Sequence, residues 1–206
     1  MSTSPLSTSC KAVGITDAAA LERLTEMTST RRLARGETLV RQGDERRYIV
    51  FVASGIVRTF FVDDDGKEIT DCIVMRNDVP VLASCDQDSP TRESVQALSA
   101  CELLCIDADL LFAASTSDLA CAGALIAILD AAWKLHWNLR NILRQKDARE
   151  RYLWFLREYP GLIDLIPHYY IASFLSITPV TLSRVRMALR REQRGEEKPS
   201  ARTAQS

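Results

Sequence analysis

Between residues 33 and 107 the chain is cut into short β-rich runs by glycines. This punctuation limits the possible folds more than any other feature. Gly36, Gly43, Gly55 and Gly66 recur at intervals of 7, 12 and 11 residues. Between and after them lie six runs rich in β-branched, aromatic and aliphatic residues: 38–41, 48–52, 56–62, 68–74, 94–97 and 102–106. The Asp63-Asp64-Asp65-Gly66 stretch reads as a hairpin tip, because Asp-Gly supplies the positive φ that a tight turn needs. Short strands at regular spacing with glycine punctuation predict a β-barrel or β-roll.

The segments around this roll read differently. Residues 1–15 are rich in Ser and Thr and read as a disordered tail. Leu21, Leu24 and Met27 have helical spacing and predict a short helix over 17–29. From about 117 to 145 the chain lacks Pro and reads as one helix of about 42 Å, at 1.5 Å per residue. Leu119, Ala122, Leu125, Ile126, Leu129 and Trp133 make its first half apolar nearly all round, so it needs cover on more than one side. A central helix in a monomer satisfies that need, and so does a homodimer seam. We take the second reading, with those six residues as the dimer interface.

A helix over residues 148–159 ends at Pro160-Gly161. Two brief helices follow, 168–175 and 179–191, separated only by Ser176-Ile177-Thr178. Two short helices on so tight a turn form a helix-turn-helix. Thr178 is placed to cap the second helix, and Pro179 sits at its first position, where the missing N–H costs nothing. Ala172 is small where the helices cross, and Ile171, Leu175, Ile177, Leu182 and Val185 supply an apolar seam. Val180, Thr181, Ser183, Arg184 and Arg190 are left to face outward, as in a recognition helix. Arg184 is the candidate for bidentate bonding to guanine, and Thr181 and Ser183 for phosphate contacts. A plain helical hairpin with a solvated basic face is the structural alternative.

The segment IPHYYIASFLSITPVTLSRVRMAL closely resembles the DNA-binding segment of Crp/Fnr-type bacterial transcription regulators. Upstream, ARGETLVRQGDERRYIVFVASGIVRTFFVDDDGKEIT resembles the effector-binding β-roll of the same family. The resemblance covers about residues 17–191. It implies an α+β chain: a double-stranded β-helix (β-roll) sensor over 16–115, a dimerisation helix over 116–146, and a winged helix-turn-helix over 147–194. A polar tail over 195–206 reads as disordered. The implied partners are an operator in double-stranded DNA, a second copy of the chain, and RNA polymerase. Tyr169, Thr178, Pro179, Val180, Thr181, Ser183, Arg184, Arg186 and Arg190 are the implied DNA-binding residues.

The sequence departs from the family pattern at four places. Cyclic-AMP receptors cradle the phosphate with a Gly-Glu pair and, about ten residues on, an Arg-Ser pair. Here the first part reads NDVPVLASC, and the Arg-Ser positions fall on Thr91 and Arg92. This argues against a cyclic nucleotide, and no cofactor is expected. It leaves Val81, Leu82, Arg92 and Ser94 as the candidate effector pocket. Cys10 stands alone near the N-terminus, so an iron–sulfur sensor is not supported. Val180 replaces a glutamate that reads cytosine, and can only touch a thymine methyl. Ser176 replaces the usual turn glycine, at a cost on the order of 1 kcal/mol if the turn needs positive φ.

Other function classes find little support. The two histidines, His136 and His168, lie in no recognisable nucleophile or metal motif, and no phosphate-binding glycine loop is present. The chain does not read as an enzyme. An effector-binding or interaction module without DNA binding is the remaining alternative; it would not need Arg184 and its basic neighbours. The N-terminus has no basic and apolar signal-like stretch, and the apolar run 119–129 is shorter than the roughly 20 residues of a membrane span. The expectation is a cytoplasmic chain without a membrane partner, its six cysteines reduced. Cys101 and Cys105 read as buried small hydrophobes, and Cys10 as the thiol to test for reactivity.

The formal net charge of -1 looks unfavourable for a DNA binder, but it sums unlike parts. Residues 1–139 hold 13 basic and 20 acidic side chains, a net of -7. Residues 140–194 hold 11 basic and 5 acidic, a net of +6. The basic part is the one that contains the helix-turn-helix, which is where a phosphate-facing surface belongs.

Overall fold

The computed structural model describes residues 4–76, 78–82 and 89–193. They fall into two compact units, Met1–Asn141 and Ile142–Ser206. The first is built on two four-stranded antiparallel sheets. One has the order β1-β8-β3-β6, from Thr28–Leu33, Cys101–Asp107, Tyr48–Ser54 and Val81–Leu82. The other has the order β2-β7-β4-β5, from Thr38–Val40, Ser94–Ala97, Ile56–Val62 and Glu68–Met75.

Strand β3 shows why two layers are required. Ile49 and Phe51 are buried and cluster with Leu24, Leu111 and Ile128 of the surrounding helices. Val50 and Val52 point the other way by the pleat and are equally buried. A strand covered on both faces reads as a continuous apolar run, as YIVFV does. At Gly55 the chain turns sharply from β3 into β4 with φ +92°, and a Cβ there would stand 2.6 Å from Cys101 Sγ. Only glycine fits both the conformation and the space.

Four helices belong to this unit: α1 (Pro5–Ala12), α2 (Ala18–Met27), α3 (Ala108–Ser115) and α4 (Leu119–Gln145), which runs on past the boundary at Asn141. The expectation of a disordered 1–15 is corrected by α1. Ser4 caps it by accepting from the Ser7 N–H at 3.2 Å, and Pro5 occupies the first turn. Leu6, Cys10 and Ile15 are buried in the helix-packed core. Their spacing was hidden by the Ser/Thr composition around them. Strand β1 was also illegible: TSTRRL has no apolar alternation, because it is an edge strand with four exposed side chains. Exposed Arg31 and Arg32 suit such an edge, since charge discourages further strand pairing.

Helix α4 has 27 residues, and by length and composition alone it is long and apolar enough to cross a membrane. The eleven-residue run counted in the sequence therefore understates it. Asp118 caps its start by accepting from the Ala120 N–H at 2.8 Å. Its apolar residues divide into two sets. Cys121, Ala124, Leu125 and Ile128 are buried in the core of the first unit. Leu119, Ile126 and Trp133 are exposed, and Ala122 and Leu129 are half-buried.

The second unit holds α5 (Ala148–Glu158), a 3-10 turn at Leu162–Asp164, α6 (His168–Phe174) and α7 (Pro179–Gln193). A capping box starts α5: Asp147 accepts from the Glu150 N–H, and the Glu150 side chain accepts from the Asp147 N–H. Trp154, Phe155, Tyr159 and Phe174 pack ring on ring with centroids 5.2–6.1 Å apart. Among the described residues this unit contains no strand, so the wing implied by the resemblance is not found there; the expected tail 195–206 lies outside the described residues.

Candidate functional site

The α6–α7 pair is held by its turn. Ser176 has φ 53°, the one positive φ of a non-glycine among the described residues. Ser176 and Ile177 donate their N–H groups to the carbonyls of Ser173 and Ala172, both at 2.9 Å, which closes the end of α6. Ile171, Ala172, Leu175 and Leu182 are buried, while Ile177 and Val185 are half-buried. Thr178 caps α7 as expected: its Oγ1 accepts from the Thr181 N–H at 3.1 Å, with Pro179 behind it.

The outward face of α7 is close to the sequence reading. Val180, Ser183, Arg184 and Arg190 are exposed, as are Thr178, Pro179 and, at the start of α6, Tyr169. Among the described residues nothing pairs with Arg184. Two candidates are engaged within the unit. Thr181 is half-buried, with its hydroxyl 2.9 Å from that of Thr178. Arg186 is half-buried and donates to His168 Nδ1 at 2.8 Å. The same guanidinium nitrogen is 3.0 Å from His168 Nε2, which also stands 3.1 Å from the Ile163 carbonyl. Arg186 is thus a brace between α7 and the start of α6. Sequence reasoning missed this because the partners are separated by the whole hairpin.

The first unit contains a narrow cleft between the roll and α4, with about 20 Å³ of free room. Thr59, Asp71, Cys72, Val81, Glu93 and His136 are among its lining residues. Of the expected effector residues, Val81 lines this cleft. Arg92 is exposed and outside its lining, and buried Ser94 accepts from the Gln42 N–H at 2.9 Å through its hydroxyl. The side chain of Leu82 lies outside the described residues. Of the three described side chains, only Val81 lines this cleft.

The cleft is acidic. Burial, reinforced by the Asp71 charge, pushes the Glu93 carboxyl up to about 7, against a hydrogen bond from Thr59. Burial and the same aspartate raise the Cys72 thiol well above its ordinary range. A cyclic nucleotide carries a phosphate anion that needs N–H donors and a guanidinium. The described lining offers two carboxylates instead, so these residues do not fit the group.

With this geometry established, residues 30–117 match the Cyclic nucleotide-binding domain family. Three solved structures are similar over most of their length. FixK2 from Bradyrhizobium japonicum has a TM-score of 0.68 and 19% identity, over 81% of this chain and 86% of that one. A crp/fnr-family protein from Eubacterium rectale has a TM-score of 0.67 and 18% identity, over 85% and 84%. The c-di-GMP-responsive global regulator CLP from Xanthomonas campestris has a TM-score of 0.64 and 18% identity, over 86% and 93%. The fold is the Crp/Fnr fold. No curated protein matches the chain in sequence. Within that fold, the described lining of the cleft beside α4 carries carboxylates where a phosphate would need donors.

Proposed function

We propose that the chain is a sequence-specific, DNA-binding transcription regulator that acts as a cytoplasmic homodimer. The observation that carries this reading is the outward face of α7, where Val180, Ser183 and Arg184, which no described residue pairs, stand exposed beyond a capped N-terminus. Residues 147–194 are the DNA-binding segment, and α7 enters the major groove. Arg184 reads guanine O6 and N7, Val180 contacts a thymine methyl, and Ser183 and Arg190 hold phosphates. Tyr169, Thr178, Pro179 and Thr181 lie against the backbone, where a helix N-terminus favours an anion.

Leu119, Ala122, Ile126, Leu129 and Trp133 follow a spacing of three and four, the a/d pattern of a coiled-coil seam. All five keep exposed area, so a second α4 can pack on them. The dimer binds a two-fold operator with half-sites about one helical turn apart. RNA polymerase is the partner on which such a regulator acts. The effector is not cyclic AMP, given the carboxylates in the cleft. An electrophoretic mobility shift on DNA upstream of the protein's own coding sequence tests the reading. A salt-sensitive shift is expected. A folded dimer that shifts no DNA at any ionic strength refutes it.

A further inference from the structure

We propose that Asp71, Cys72 and His136 form a binding site for a divalent transition-metal ion of the zinc class, in the cleft between β5 and α4. One donor atom from each of the three lies within 4.8 Å of the others. Cys72 Sγ is 3.3 Å from Asp71 Oδ2, and His136 Nδ1 is 3.7 Å from the same oxygen. Ligand bonds of about 2.0–2.3 Å at a tetrahedral centre place donor atoms roughly 3.3–3.8 Å apart. The cluster is therefore near the required spacing before any ion is bound.

The backbone explains how two successive strand residues serve one site. Neighbours on a strand ordinarily point to opposite faces. Here Thr59 of β4 pairs with Cys72 and Phe60 pairs with Thr70, which leaves Asp71 as the extra residue of a bulge. A bulge re-aims a side chain, and Asp71 and Cys72 both line the cleft. Glu93 lines it as well and offers an oxygen as the fourth donor, with water as the alternative.

The donor set selects the ion. A thiolate, an imidazole and a carboxylate suit zinc and its neighbours, whereas calcium and magnesium take oxygen ligands. On binding, the metal replaces the proton of Cys72, which passes to solvent. The His136 side chain is 52% exposed and that of Asp71 29%, so an ion has a path in, while Cys72 lies deeper. The ion would tie β5 to α4. As a metal site this stands on geometry alone; as the regulator's signal it rests on the function proposed above.

The test uses untagged, reduced full-length protein freed of metal by chelation. Cobalt(II) titration should show one ion per chain, with a thiolate-to-cobalt band in the near ultraviolet that zinc(II) abolishes. Cys72→Ser should remove the band. His136→Ala and Asp71→Asn, both at partly exposed positions, should weaken cobalt binding by at least about tenfold, the loss that even an outer-shell partner causes. No cobalt binding, or a band and affinity that survive His136→Ala, overturns the proposal. Should Cys72→Ser fail to fold, the other two variants decide. Mobility shifts with and without zinc(II) are read separately: metal binding with no DNA shift in either state keeps the site and sinks the regulator.

Discussion

The guanidinium of Arg151, on α5, donates to the carbonyl of Ser176, the residue that holds a left-handed conformation in the α6–α7 turn. The Nη1 to O distance is 3.4 Å, and the same nitrogen reaches the Leu175 carbonyl at 3.1 Å. An arginine from outside the hairpin thus satisfies carbonyls that the end of α6 leaves without helical donors.

Two opposite stability changes follow. Ser176→Gly removes the Cβ strain of a left-handed residue, offset in part by the entropy of an unfolded glycine; a net gain of about 0.5 kcal/mol is expected. Arg151→Ala leaves both carbonyls without their charged donor and should cost about 1–2 kcal/mol. Urea unfolding followed by tryptophan fluorescence reads both. A midpoint that falls for Ser176→Gly contradicts the strain assignment.

Three arginines of α7 should separate cleanly. Arg184→Ala is expected to cost about 1–3 kcal/mol of operator affinity and to relax preference at one base position. Arg186→Ala removes the brace to His168 and should lower the unfolding midpoint, with any loss of affinity spread evenly over sequences. Arg190→Ala should leave preference unchanged and flatten the salt dependence by one phosphate contact. Binding-site selection with each variant distinguishes the three. Unchanged preference for Arg184→Ala removes it from the base contacts.

Adjacent residues of α4 should behave as different kinds of position. Leu125 is 7% exposed and Ile126 is 66% exposed. Leu125→Asp buries a charge in the core and should unfold the first unit. Ile126→Asp should leave the fold intact, dissociate the dimer and abolish operator binding with it. Size-exclusion chromatography with light scattering checks this; an Ile126→Asp protein that remains dimeric rules out the seam.

Cys10 should be inert in the folded protein. Burial pushes its thiol up to about 11 from an ordinary 9, so the thiolate fraction near pH 8 falls roughly a hundredfold. Since the folded state keeps the proton, reactivity should rise only as pH climbs towards 11 or as α1 detaches. Iodoacetamide labelling with peptide mapping, with and without urea, measures it. Rapid labelling at pH 8 without denaturant would show that α1 does not stay packed.

Much of this chain is written locally. YIVFV, the Asp-Gly turn, and Thr178-Pro179 ahead of α7 announce their elements because strand burial, turn conformation and helix capping depend on residues a few positions apart. The strand pattern and Arg184's outward position follow from that. What the tertiary structure decided depends on distant partners. Leu6 and Cys10 order a Ser/Thr-rich segment only because a core lies ready to receive them. Leu125 and Ile126 look equivalent in sequence, yet successive helix residues are about 100° apart, and the arc that the roll covers includes one and not the other. Asp71 and Cys72 meet His136, far along the chain, through a bulge set by the register of β4 on β5, which no local pattern encodes.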